Sequence, residues 1–228
     1  MKKLKNTKPV FYSALNFLNI IILLCITACT QRSDSNSKNS QADGMEDTAK
    51  SSNIAVEKGQ PLTSVASIQK AYSDIVSKAT SGNLDSTSFK YSCHGEKGGK
   101  VTYFTEKGQL RLIVHRYNEY DHYSAEDRYF VTDSTLFFIL TNSVSWAFES
   151  GPEGATKDNI QERRVYLVNN KPIKCLEKKF VIRSQEKDNP RPETVPSREV
   201  DCSSPEAVMK PYVLLKKYRS NPTSDCLD

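Results

Sequence analysis

The chain has 228 residues, 37% hydrophobic and 26% charged, with six cysteines and a formal charge of +5. Four of its 32 basic residues, Lys2, Lys3, Lys5 and Lys8, precede residue 29, where no acid occurs, so the remainder is close to neutral. With both signs interspersed there is no basic face to neutralise phosphates, which argues against a nucleic-acid partner.

The N-terminal lysines are followed by a mostly apolar run, Phe11 to Ile26, broken by Asn16 and Asn19 and too short for a comfortable membrane span. It ends in Ile26-Thr27-Ala28-Cys29, which resembles the lipobox of bacterial lipoproteins. The resemblance implies that residues 1–28 are a signal peptide, that Cys25 leaves with it, and that Cys29 is acylated (palmitate among its chains) as the new N-terminus. Each buried methylene contributes about 0.8 kcal/mol, so several chains hold the protein at the membrane. Thr30 follows the cysteine rather than the Asp of inner-membrane retention, which points to the outer membrane, on its periplasmic face or at the cell surface.

From Cys29 to residue 60 large apolar groups are nearly missing. Such a stretch buries too little surface to offset chain entropy. It reads as a disordered tether with a reach on the order of 30 Å. Residues 61–228 then suffice for one globular α+β domain.

Val65, Ile68, Tyr72, Ile75, Val76 and Ala79 recur at helical spacing, and Ser81-Gly82-Asn83 is a stop signal, so a core-facing amphipathic helix is expected over 62–79. A segment then appears three times: VTYFTEKGQLRLIV from 101, DRYFVTDSTLFFIL from 127 and RVYLVNNKPIKCLE from 164. Aligning Tyr103, Tyr129 and Tyr166 also aligns Leu110, Leu136 and Ile173 across short polar breaks. Aromatic and β-branched flanks around such breaks predict β-hairpins. Three in succession predict an antiparallel meander of about six strands. Alternation places Leu110, Leu112 and Val114 on one face with Leu136, Phe138, Leu140, Ile173 and Cys175, under the N-terminal helix. Arg111 and His115 then fall on the wetter face.

Residues 142–160 form the longest interruption between copies and hold the single tryptophan, Trp146, with Phe148 two residues on. Long loops often carry function, which makes Trp146 and Phe148 a possible binding loop; alternatively Trp146 extends the second hairpin. Residues 184–228 form a C-terminal extension, first a proline-rich loop. Ser204-Pro205-Glu206 then opens a short helix through Val208, Met209, Tyr212, Leu215 and Tyr218, kinked or delayed by Pro211.

Once exported, the chain retains Cys93, Cys175, Cys202 and Cys226 beyond the lipobox, enough for two disulfides in any of three pairings. Cys202–Cys226, bracketing the last helix, and Cys93–Cys175 are expected. No pair has the short spacing of zinc ligands. His94, His115 and His122, with Glu119 and Asp121 near the latter two, read as solvated groups at strand ends. Cys93 and His94 are adjacent and so point apart on a strand. No phosphate-binding loop, HExxH or GxSxG occurs. No catalytic residue, metal or cofactor is therefore expected, and the chain reads as a non-enzyme.

The order helix, EKGGKVTYF, DRYFVTDSTLFFIL, IQERRVYLVNNKPIKC resembles a group of uncharacterised lipoproteins and secreted proteins of the Bacteroidota, over about residues 62–183. That resemblance implies an α+β fold and assigns no functional residues. A shorter one, over Tyr91-Ser92-Cys93, Gly98 and Val101-Thr102-Tyr103, is to the membrane-bound lysozyme inhibitors, although their SASGA-like loop and Trp-Lys-Gly segment are missing here. The expectation is an envelope lipoprotein acting as a non-catalytic binding or structural module, with an envelope protein or glycan as partner. The alternative is an inhibitor of a secreted hydrolase, lysozyme-like or a protease, inserting the loop around Trp146.

Overall fold

Helix α1 spans Val65–Thr80 in a computed structural model that describes residues 62–228; the expected signal peptide, the acylated Cys29 and the tether to residue 60 lie outside the described residues. Its start is a capping box in which the Ser64 hydroxyl accepts from the Ser67 amide and the Ser67 side chain returns to the Ser64 amide. Gly82, at φ 74°, supplies the left-handed residue of the stop. Lys78 in the last turn pairs with Asp74 and, at 2.9 Å, with Glu106 of the sheet.

One antiparallel sheet follows, β1 (Asp85–Cys93), β2 (Lys97–Glu106), β3 (Gln109–Glu119), β4 (Tyr123–Thr132), β5 (Thr135–Phe148), β6 (Thr156–Val168), β7 (Lys171–Arg183) and β8 (Arg198–Glu199). The strands lie in sequence order, so the meander is as expected, with eight strands in place of about six. The additions are edges. Strand β1 carries only Phe89 and Tyr91 as large apolar groups, too few for a clear alternation, and β8 pairs through two residues.

Each of the three repeated segments is a two-residue hairpin. Lys107-Gly108, Asp133-Ser134 and Asn169-Asn170 all have positive φ, between 47° and 78°, the geometry of type I′ turns whose twist matches the flanking strands. Each hairpin then carries the same defect. The register slips between Phe104 and Thr105, between Phe130 and Val131, and between Tyr166 and Leu167, leaving Arg111, Phe137 and Ile173 as the extra residue of a β-bulge.

These bulges correct the expected faces. Leu112, Val114, Phe138 and Leu140 do lie in the cluster with Ile68 and Ile75 of α1, joined there by Phe130, Phe137 and Tyr166. Leu110, Leu136 and Cys175 belong to the opposite face, because alternation restarts after a bulge. Ile173 is 47% exposed. The ladder also shifts the third copy by one residue: Val165, opposite Cys175, rather than Tyr166, is equivalent to Tyr103 opposite Ile113 and Tyr129 opposite Ile139.

The second face is covered as well. Helix α2 (Pro205–Lys217), capped by Ser204 and continuous through Pro211, buries Tyr212 and Leu215 against Tyr103, Ile113, Tyr129, Ile139 and Val165. The Tyr103 hydroxyl donates 2.7 Å to the Leu215 carbonyl. Burying each large apolar side chain contributes about 1.5–3 kcal/mol, so the α2 layer is as much core as the α1 layer.

The disulfides are Cys93–Cys226 and Cys175–Cys202, which overturns the expected Cys202–Cys226 and Cys93–Cys175. Strand β8 runs antiparallel to β7, and the Val200 amide donates to the Cys175 carbonyl, which brings Cys202 beside Cys175. After α2 the chain reaches the opposite edge, where the Ser92 amide of β1 donates 2.9 Å to the Ser224 carbonyl. Helix α2 therefore crosses the sheet between two staples, one at each edge.

Candidate functional site

The turns at one end of the sheet gather an aromatic ridge. Trp146 and Phe148 belong to β5, so the long loop expected over 142–160 shrinks to residues 149–155. Trp146 is fixed by its Nε1, which donates 2.5 Å to the Asp121 carbonyl, and by its amide, which donates to the His122 carbonyl. The His122 ring lies 4.1 Å from the indole, and Phe148 meets the indole edge-on at 5.4 Å. Phe148 is 69% exposed and Tyr120, in the neighbouring turn, 63%. Tyr120 is tied to the first turn, its amide donating to the Glu96 carbonyl and its hydroxyl to Glu96 Oε2 at 3.1 Å. By strand parity Trp146 and Phe148 stand on the α1 face, beyond the helix.

On the α2 face lies a polar cavity of about 300 Å³ whose floor includes Tyr91, Lys97, His115, Tyr117, Asp127 and Tyr129. The cross-strand register makes it: His115 of β3 stands opposite Asp127 of β4, and Tyr117 follows two residues later on the same side. Its roof is the inner side of α2 and the last residues of the tail, Leu227 among them, drawn in by Cys93–Cys226.

His115 is buried rather than solvated. Its Nε2 shares a 2.9 Å hydrogen bond with Tyr91 Oη, and its ring stacks on Tyr117 at 4.5 Å. Tyr91 reaches it by lying over Gly99, where a Cβ would sit 2.7 Å from the ring and 2.6 Å from the Arg116 carbonyl. Burial holds the imidazole pKa down to about 4, with the charge of Lys97 acting the same way. Asp127 is shifted oppositely, to about 6, again chiefly by burial; the hydroxyl of Tyr129, 3.5 Å from Oδ2, and Lys97 only partly offset it. Burial first, then the charges of Glu119 and Asp127, push Tyr91 up to about 12, and burial also raises Tyr117. Lys97 Nζ bonds Glu119 Oε1 at 2.6 Å and sits 4.8 Å from the centre of the Tyr117 ring.

Of the other sequence-derived candidates, Cys93, Cys175, Cys202 and Cys226 are all oxidised in pairs. His94 occupies the β1–β2 turn at φ 53°, near the Cys93 and Cys226 sulfurs, but two sulfurs bonded to each other offer no thiolate to a metal. The structure does not bring His115 together with His122, which lies in the β3–β4 turn beside Trp146. Sequence reasoning missed Tyr91, Lys97, Tyr117, Asp127 and Tyr129. The signal that would have found Asp127 is the β3–β4 register, which sets it opposite His115. Compared with known proteins, the chain matches no family model, no curated protein and no solved structure.

Proposed function

We propose that this chain is an envelope lipoprotein, held at the outer membrane through Cys29, whose folded domain is a non-catalytic binding module for an envelope glycan or protein. The observation that carries the reading is the ridge of Tyr120, His122, Trp146 and Phe148. Tyr120 and Phe148 leave aromatic faces in water; with few rotatable bonds these rings lose little freedom when a ligand packs on them, and they offer stacking area to sugar rings or apolar side chains. His122 adds to the ridge by lying on Trp146, while His115 on the other face is engaged by Tyr91. The alternative, inhibition of a secreted hydrolase, asks for an inserting loop, whereas Trp146 is held in a strand, so binding takes precedence.

The test is retention of the purified chain on peptidoglycan, envelope glycans and immobilised envelope extract, against the Trp146→Ala, Phe148→Ala double variant. Retention of the wild type with at least tenfold loss in the variant supports the ridge as the site. Equal retention removes the ridge, and retention of neither on any material removes the binding reading. Anchoring is tested apart from this, by palmitate incorporation: labelling of the wild type and not of Cys29→Ala is expected.

A further inference from the structure

The ridge leaves the cavity on the other face without a role. We propose that this cavity is a second binding site, for a small organic ammonium ion with an apolar body, its charge seated at the Asp127 carboxylate.

Charge decides the class of ligand. Among the described residues Asp127 makes no ion pair; its half-buried carboxylate is met only by the hydroxyls of Tyr129, at 3.5 Å, and Tyr117, and a cation would satisfy it more fully. The cation nearest to it in the cavity, Lys97, is already bound to Glu119 at 2.6 Å. His115 is neutral near pH 7, because burial keeps its proton off. A second acid, Asp228, lines the same cavity. An anion would therefore be repelled, and a neutral guest would leave Asp127 unpaired.

The walls decide its shape. Tyr117 has both ring faces taken, by Lys97 Nζ at 4.8 Å from the centroid and by the His115 ring stacked at 4.5 Å, so the guest's charge goes to the Asp127 carboxylate and its body to the remaining walls. Beside it His115 and Tyr91 form a stacked and hydrogen-bonded wall, while Leu214 and Leu227 supply an apolar roof. A volume of about 300 Å³ lies at the small end of ligand cavities, suited to one ring or a short aliphatic body.

Phenethylammonium tests this, with 2-phenylethanol and phenylacetate as neutral and anionic probes of similar shape. The intact, oxidised chain is titrated near pH 7.5 by calorimetry, while the Gly99 amide, under the Tyr91 ring, is followed by NMR. Saturable binding of the ammonium probe, at least tenfold tighter than either counterpart, is expected. Asp127→Asn, which removes the half-buried charge and keeps the shape, is expected to lower that affinity at least tenfold. Leu214→Trp, filling the roof, is expected to abolish it. Equal binding of the three probes, binding of none, or an Asp127→Asn affinity equal to the wild type would overturn the proposal. The retention test of the ridge uses other residues on the other face, so either reading can fail alone.

Discussion

Leu110 and Leu112 stand two residues apart on β3 and are buried on opposite faces of the sheet, the first toward α2 and the second toward α1. Arg111 between them is the extra residue of a bulge, and Phe137 and Ile173 hold the same place in the next two hairpins. The bulge places its extra side chain on the same side as the following one: Phe137 and Phe138 both pack beneath α1.

The three bulge positions are therefore expected to differ widely when truncated. Phe137→Ala empties a fully buried site and is expected to cost about 3–5 kcal/mol. Arg111→Ala loses a 3.1 Å ion pair with Glu106 at a partly exposed site and is expected to cost about 1 kcal/mol or less. Ile173→Ala, half in water, is expected to cost less than about 1 kcal/mol. Urea unfolding of the three variants orders them, and a Phe137 effect no larger than that of Ile173 would contradict the bulge.

The turns are unequally suited to their geometry. Ser134 adopts φ 63° at the second position of its type I′ turn, where Gly108 stands in the first hairpin. A non-glycine residue in the left-handed region carries a steric cost. Ser134→Gly is expected to stabilise by about 0.5–1 kcal/mol, or roughly 1–4 °C in Tm for a domain of this size. Calorimetric melting measures it, and a lowered Tm would argue against that turn.

The two staples should not be equivalent. Cys93–Cys226 closes a separation of 133 residues and Cys175–Cys202 one of 27. Chain entropy assigns about 5 kcal/mol to the first and about 3.5 kcal/mol to the second. Non-reducing peptide mapping is expected to recover the Cys93 peptide joined to the Cys226 peptide. Recovery of Cys202 joined to Cys226 would refute the crossing of α2 between the edges. Cys93→Ser, Cys226→Ser is expected to melt lower than Cys175→Ser, Cys202→Ser.

The cavity makes stability depend on pH through two opposed groups. His115 has a folded pKa of about 4, below its ordinary 6.5. Its contribution is complete above pH 6.5 and is lost as pH falls toward 4, on the order of 3 kcal/mol in all. Asp127 has a folded pKa of about 6, above its ordinary 3.8, so its contribution is complete below 3.8 and is lost as pH rises through 6. In the wild type the two nearly cancel between pH 4 and 6. His115→Gln leaves Asp127 alone, and stability is then expected to rise as pH falls from 7 to 4. Asp127→Asn leaves the opposite slope and gains about 1–2 kcal/mol at pH 7, allowing for partial exposure. Urea midpoints across this range measure both, and parallel profiles for the two variants would count against the shifts.

Local pattern alone determined a good deal. The stripe from Val65 to Ala79 marked α1, Ser204-Pro205 marked the start of α2, and polar dipeptides between apolar runs marked three hairpins, because helix period, capping and turn chemistry act over a few residues. Alternation also placed Leu112, Val114, Phe138 and Leu140 correctly, since no bulge intervenes among each pair.

What only the tertiary structure decided depends on which strand lies beside which. A bulge is a mismatch between two strands and leaves no mark on either one, so the faces of Leu110, Leu136 and Cys175 could not be read along the chain. The disulfide partners follow from the short β8 pairing and the passage of α2 across the sheet, neither of which is a local preference. The cavity belongs to the same class: His115 and Asp127 are twelve positions apart in sequence, and only the register of β3 on β4, with a roof brought over them by Cys93–Cys226, sets both into one desolvated site.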